Sequence, residues 1–398
     1  MKKKLRFLLK LLVILLVALN LIIILSGRFY LYKGVWHTYL HGKSGPSIYD
    51  LNIFHNRTVA KAKTPFSFHQ ATTNTTLSAE ETAYFQGLET HSFMVIRNDS
   101  ILFEKYFDQR SDTAHTNSFS AAKTVVGLLI GCALDEGKIK SLDDAVSDYI
   151  PDFDREGKEV VTIRDLLIMS SGLSWTESGK NPFSDNAASY YGTNLYNLAV
   201  YQKLVSKPAH VFNYQSGNTQ LLGFVIKNAT GKTVSEYASE KIWQKIGTEN
   251  DAYWSLDKKD GDEKSFCCLY ATTHDFAKLG RLILNKGKWN GETIISEKYM
   301  DEFLSPAKMM TDEGIENTRY GFQIWLYPNA ENPVYYCRGI LGQYIIALPK
   351  QNVIIVRTGM KRAENITLDQ AGKDVLKVGH PKDLFEYLKI AKRILKHP

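Results

Sequence analysis

Ser120 and Lys123 stand three residues apart at the head of Asn117–Gly137, NSFSAAKTVVGLLIGCALDEG, the longest apolar run outside the N-terminus. A serine hydroxyl attacks an acyl carbon only when a nearby base takes its proton, and a lysine serves as that base only when neutral. Residues three apart on a helix project from one face, so these two side chains can touch. From Thr124 to Leu134 every residue is apolar or small, which predicts a helix buried on all sides, with Gly137 as its stop. Burial disfavours the ammonium form, and so does the positive end of the helix dipole. Both effects predict a lysine of lowered pKa in the first turn, which Ser118 or Ser120 can cap.

The same Ser-x-x-Lys spacing recurs at Ser255/Lys258 and Ser305/Lys308. The first of these lies in the charged stretch WSLDKKDGDEK, and the second reads as an ordinary helix start followed by a solvated lysine. A capping serine beside a snorkelling lysine is the plain structural reading of the pattern. Only Ser120 opens a buried helix.

The elements that must position this pair follow from the rest of the chain. SFMVIRNDSILFEKYF reads as a hairpin turning at Asn98-Asp99, so the Ser120 helix leaves directly from a sheet. Ser78-Ala-Glu-Glu81 has the capping-box pattern of a short helix start. The middle of the chain is mostly helical. Within it, VFNYQSGNTQLLGFVIKNATGK predicts a short extended piece ending at Tyr214, a cap at Ser216 and a helix stopped by Gly231. Strand-like blocks YGFQIWLY, VYYCRG, QYIIALP and NVIIVRTG follow. The final KDLFEYLKIAKRILKH carries Leu384, Phe385, Leu388 and Leu395 broadly on one face, which predicts packing on the sheet. One sheet completed by both chain ends, with an inserted helical lobe, leaves a cleft between lobes with Ser120 at its floor.

Lys2, Lys3, Lys4 and Arg6 precede Phe7–Leu25, which is apolar except for Lys10 and Asn20. That length spans a bilayer. No small-x-small site follows it, so residues 1–27 read as an uncleaved signal anchor, with the lysines inside and the rest of the chain outside. The alternative is a cleaved signal peptide. Either way the domain is extracytoplasmic, on the periplasmic side of the cytoplasmic membrane. Residues 28–80 show little periodicity and read as a connector; residues 81–398 form the folded domain, with the helical lobe at about 120–262.

A net charge of +7 over 398 residues, partly from the N-terminal lysines, calls for no nucleic-acid partner. Four cysteines are too few for a disulfide scaffold: Cys132 falls inside the apolar helix, and Cys267 and Cys268 are adjacent, so at most one pairs easily with Cys337. No Cys/His spacing suggests a metal, and no cofactor is implied.

Ser120-Ala-Ala-Lys123, VTIRDLLIMSSGL, Tyr214-Gln-Ser216-Gly-Asn-Thr-Gln-Leu-Leu-Gly and Gly339-Ile-Leu-Gly-Gln343, in that order, resemble the serine beta-lactamase/penicillin-binding-protein family. Among its class-C-related hydrolases the chain is most similar to the 6-aminohexanoate-dimer hydrolase and esterase branch, from about residue 80 to 395. The resemblance implies an α+β fold, a mostly antiparallel sheet flanked by the N- and C-terminal helices with an inserted helical lobe. It implies an acyl-enzyme on Ser120, Lys123 as base and Tyr214 as proton relay to the leaving group. It further implies an oxyanion hole from the backbone N–H groups of Ser120 and Ile340, with Gly339, Ser216, Gln343, Tyr190 and Tyr191 around the substrate. Two such donors lower an acyl-transfer barrier by several kcal/mol, about 3 for one. Lys-Thr-Gly and His-x-Gly are both missing; Arg338-Gly339-Ile340 stands before the strand instead. Without that lysine, penicillin recognition loses its usual carboxylate partner while hydrolysis stays intact. The reading is a membrane-anchored serine hydrolase of a small-molecule or short-peptide ester or amide. The alternatives are a D-amino-acid peptidase or penicillin-binding-type protein acting on cell-wall peptides, and a binding protein whose chemistry has lapsed.

Overall fold

A computed structural model describes residues 2–179, 181–372 and 374–396 of the chain. Helix α1 (Lys2–Leu25) is long and apolar enough to cross a membrane, and of its residues only Ile23 is buried. Its length and composition fit a membrane anchor or a signal sequence. After four residues the chain forms α2 (Tyr30–His37).

The stretch 28–80, without periodicity in sequence, supplies a strand to each of two sheets. Strand β1 (Asn56–Val59) starts the small sheet and β2 (His69–Gln70) edges the large one. Strands of four and two residues offer too few alternations for a period to show. Helix α3 (Ala79–Gly87) begins at Ser78, whose hydroxyl takes the Glu81 N–H while the Glu81 carboxylate takes the Ser78 N–H, so the capping box forms. Strands β3 (Thr90–Arg97) and β4 (Ser100–Tyr106) make the expected hairpin, with Asn98 and Asp99 at φ +51° and +59°, as a two-residue turn between twisted strands requires.

Strand β5 (Thr116–Asn117) leads through a 3-10 turn, Phe119–Ala121, into α4 (Ala122–Asp135). All residues of α4 from Ala122 to Ala133 are buried, as its unbroken apolar run dictates. The lobe that follows includes α5 (Asp185–Tyr191) and α6 (Ser216–Thr230), the latter packed on α4 and ended by Gly231 at φ +70°. Strands β6 (Ala252–Ser255) and β7 (Leu269–Ala271) complete the small sheet in the order β1-β6-β7-β5. Helix α7 (Thr273–Leu284) then crosses the large sheet, whose remaining strands are β8 (Trp325–Tyr327), β9 (Val334–Gly339), β10 (Gln343–Leu348) and β11 (Val353–Gly359). The order is β8-β9-β10-β11-β3-β4-β2, so both chain ends build one sheet, antiparallel throughout except where β2 runs parallel to β4.

One core joins the lobe to the sheet face under α7; a second lies on the opposite face, beneath α3 and α8 (Lys382–Lys396). The buried stripe of α8 is Leu384, Tyr387, Ile390, Ala391 and Ile394; Phe385, Leu388 and Leu395 pack only partly buried against it. The apolar face is thus rotated from the one drawn from leucine and phenylalanine alone, because Tyr387, whose hydroxyl donates to Asp383, also points inward.

Candidate active site

Pairing of β5 with β7 fixes the chain entering the turn that carries Ser120: Ser118 donates its N–H to Leu269 O at 2.9 Å, and the Asn117 side chain takes the Phe119 N–H at 2.8 Å. Phe119 is buried and held at φ +45°, a left-handed conformation that surrounding structure must enforce on a side chain this bulky. Neither serine caps α4. Its cap position is Ala121 without a side-chain bond, and the Ser118 hydroxyl donates to Phe119 O. The tight 3-10 turn takes up Ser120, which leaves its hydroxyl free for other partners.

Lys123 is buried at 1% exposure, and its Nζ has three neighbours: Phe266 O at 2.7 Å, Ser216 Oγ at 3.0 Å and Ser120 Oγ at 3.2 Å. Burial lowers its pKa to about 8, against the opposing pull of the Glu177 carboxylate. The hydrogen-bond inventory then orders the protons. The Phe266 carbonyl can only accept. Ser216 donates its hydroxyl to Glu177 Oε1 at 2.9 Å, so its oxygen must accept from Lys123. A neutral amine has two N–H bonds and one lone pair. With both N–H bonds committed, the lone pair faces the Ser120 hydroxyl.

Ser216 therefore does not cap α6 as its sequence suggests. Gln215 occupies the cap position, and Ser216 gives both its hydroxyl and its N–H, the latter at 2.7 Å, to Glu177. Glu177 also receives Trp175 Nε1 and Asn186 Nδ2, each at 3.0 Å. A carboxylate held at the start of α6 sits where the helix dipole favours it. Sequence reasoning missed Glu177: it is a lone acid in a polar loop, 39 residues from its partner, and no spacing rule joins the two.

Tyr214 stands across from the pair, its ring 5.3 Å from Lys123 Nζ and its phenol hydrogen-bonded to Ser120. Tyr320 and Trp325 wall the ring at centroid distances of 5.8 and 5.6 Å. Burial, reinforced by Glu177 and only partly opposed by the Ser120 hydrogen bond and the nearby arginines, pushes the phenol well above its ordinary value. At neutral pH it holds a proton it can give away.

Above the serine, β9 ends at Gly339 and Ile340 begins the turn to β10. A Cβ at Gly339 would lie 2.2 Å from Ser118 O, so only glycine lets this strand end reach the turn that carries Ser120. Gln343 does not line the pocket: it is buried behind the turn, its amide donating to Ile340 O and Gly359 O. Arg357, fully buried, donates to the carbonyls of Leu341 and Gly342 from the same side. Both are positioning residues for the backbone of Ile340.

The resulting cavity, about 260 Å³, is lined among others by Ser120, Tyr190, Tyr191, Tyr214, Ser216 and Ile340. Arg338 and Arg362 line it too, and among the described residues neither has a carboxylate partner. Arg338 lies 3.4 Å from the Trp325 ring centroid. The absent lysine thus does not leave the pocket without cations. Cys267, in the wall, is bonded to Cys268, while Cys337 is free and buried; the adjacent pair joins to itself rather than to Cys337. Ser255 Oγ is spent on Asn56 and Ser305 Oγ on Asp301 O, with Lys258 and Lys308 exposed, so neither duplicate tetrad forms a pair.

Fold and site together fit a serine hydrolase. The chain belongs to the beta-lactamase family, whose profile matches residues 79–365. It is similar to the 6-aminohexanoate-dimer hydrolase of Paenarthrobacter ureafaciens, 25% identical over 284 residues, 67% of this chain and 72% of that protein. It is also similar to the teichoic acid D-alanine hydrolase of Staphylococcus aureus, 24% identical over 285 residues, 66% of each. A solved Bacillus anthracis structure, provisionally assigned as a 6-aminohexanoate-dimer hydrolase, superimposes with a TM-score of 0.72 at 21% identity, covering 88% of this chain and 94% of its own; at that identity the likeness concerns the fold.

Proposed function

We propose that the chain is a membrane-anchored, extracytoplasmic hydrolase that cleaves an ester or amide through an acyl-enzyme on Ser120. The observation that carries this reading is the wiring of Lys123, whose two N–H bonds are committed to Phe266 O and Ser216 while Ser120 lies 3.2 Å from its nitrogen. In the forward step Ser120 attacks the acyl carbon and passes its proton to Lys123. The N–H groups of Ser120 and Ile340 receive the oxyanion. Tyr214 protonates the leaving group as the carbon–heteroatom bond breaks, and the Lys123 ammonium, 5.3 Å from the Tyr214 ring, restores the phenol's proton, since Ser120, now an ester, carries none. Water then repeats the path to release the acid.

A second reading, a peptidase acting on cell-wall D-amino-acid peptides, is favoured by Arg338 and Arg362, which can meet a substrate carboxylate as a planar fork. A serine-reactive fluorophosphonate tests the first step: labelling lost in Ser120→Ala and kept in Ser255→Ala supports it, and no labelling of the wild type favours a binding protein. Short acyl esters, nitrocefin, D-Ala-D-Ala peptides and linear amide oligomers, assayed in parallel, separate the substrate classes. Ester turnover with little nitrocefin hydrolysis is the expected pattern. Nitrocefin turned over as fast as the best ester overturns it. The anchor is tested by carbonate washing of membranes, in which the full-length chain stays; a soluble form lacking about the length of α1 means cleavage.

A further inference from the structure

Helix α2 has two unlike faces. Tyr30 donates its hydroxyl to Pro182 O at 3.1 Å, and Gly34 meets the Tyr191 ring so closely that a Cβ there would lie 3.3 Å away. Phe29, Tyr32, Trp36 and Leu40, spaced along the other face and past its end, are exposed, with Tyr39 beside them. In a water-facing helix such a face has no partner.

The chain before α2 says what covers it, given the reading of α1 as a membrane span. Four residues, Ser26–Phe29, separate the two helices, a reach of at most about 14 Å. Even that reach is not used. Gly27 turns at φ +66°, and Tyr32 donates its hydroxyl to Asn20 at 2.7 Å. Asn20 lies five residues before the end of α1, roughly 7.5 Å down its axis. Helix α2 thus lies beside the last turns of α1 rather than above them. If α1 spans, the Tyr32 hydroxyl reaches the outer edge of the hydrocarbon and α2 lies at its border with the headgroups, where tryptophan and tyrosine are enriched because their rings are apolar and their tips polar. Arg28 at the turn and Lys43 further on suit an anionic surface; of the acids beside α2, Asp50 is buried and faces Lys43 and Tyr190, and Asp185 acts on Tyr30 of the docked face.

We propose that residues 29–40 lie in the membrane interface with Phe29, Tyr32, Trp36 and Leu40 turned to lipid, and that this fixes the wall of the active-site cavity against the bilayer surface. The docked face of α2 rests on α5 and the loop before it, and the same two elements supply Glu177, Asn186, Tyr190 and Tyr191 to the cavity. The cavity is therefore about one helix diameter, roughly 10 Å, from the headgroups.

Trp36 makes the test direct. Of six tryptophans it alone is exposed, at 57%; Trp175, Trp243, Trp254, Trp289 and Trp325 are buried, and α1 has none. The full chain is reconstituted in vesicles of phosphatidylcholine and phosphatidylglycerol, with or without phosphatidylcholine brominated on its acyl chains, and floated to confirm insertion. Bromine quenches only tryptophan in contact with lipid. Wild-type emission should fall with brominated lipid, and Trp36→Phe, which still labels with fluorophosphonate, should lose that quenchable part. A floated wild type whose emission bromine leaves unchanged overturns the inference while sparing the anchor. A folded chain that does not float overturns both.

Discussion

Lys123 and Lys264 are both sealed from solvent, and burial is the first cause of a lowered pKa in each, to about 8 and about 7. Their surroundings differ in what the nitrogen meets. Lys264 donates to Ser189 O at 3.0 Å and lies 5.0 Å from the Phe54 ring centroid, and among the described residues no hydroxyl is hydrogen-bonded to it. Lys123 has two acceptors that consume its N–H bonds and, for its lone pair, the hydroxyl of Ser120, which lines the cavity. Burial alone makes a neutral amine. What makes a base is the set of acceptors that aims it.

The comparison breaks most visibly at Lys123 itself. Lys123→Ala should lower kcat/KM for an ester by roughly 10²–10⁴, the scale of one lost acid–base group, and Tyr214→Phe should do nearly the same. If both residues serve one proton path, as proposed, the double variant should fall far short of the product of the two losses. A fully multiplicative double variant would separate them into independent roles.

A smaller effect is expected at Glu177, whose carboxylate holds the Lys123 pKa up against burial. Glu177→Gln removes that pull, so more of the lysine is neutral and the acidic limb of the rate profile should move to lower pH. The maximal rate should fall as well, since glutamine offers one acceptor oxygen where the Ser216 hydroxyl and N–H use two. A limb that stays in place, or moves up, contradicts the assigned electrostatics.

The smallest catalytic effect belongs to Lys264→Met, which should leave the acidic limb where it is. Its signature is in stability. In the folded chain Lys264 loses its proton near pH 7, and in the unfolded chain near the ordinary lysine value of about 10.4. Between those values the unfolded chain binds the extra proton, so this residue makes stability rise with pH and weakens it as pH falls towards 7. Denaturation midpoints compared across that window should show the wild type steeper than Lys264→Met. Equal slopes would mean that the buried amine is protonated in the fold.

The parts of this site that were legible in sequence are the local ones. Ser120 and Lys123 share a turn, and the apolar run behind them announces a buried helix. The hairpin at Asn98-Asp99 and the stop at Gly231 rest on left-handed backbone that few residues tolerate. What escaped depends on contacts across the chain. Glu177 reaches Ser216 from another loop, and a carbonyl such as that of Phe266 carries no side-chain signal. Arg357 holds the Ile340 turn from behind the sheet, where sequence shows only a strand residue, and Gln343, drawn around the substrate, holds the same turn instead. The caps drawn at Ser118, Ser120 and Ser216 did not form because each helix starts where tertiary partners, not propensity, let it.

The pH profile of kcat/KM for a short ester, measured for the wild type and Lys123→Ala, tests the lysine base most directly. With a pKa of about 8, roughly one enzyme in ten carries a neutral Lys123 at pH 7, against about one in a thousand for an unperturbed lysine. Activity should therefore rise about tenfold per pH unit and level off near 8. No alkaline limb should follow within the stable range, because burial keeps the Tyr214 proton in place. The residual activity of Lys123→Ala should lack the acidic limb. A Lys123→Ala enzyme that keeps that limb, or a wild type whose limb lies in the carboxylate range, would contradict the role given to Lys123.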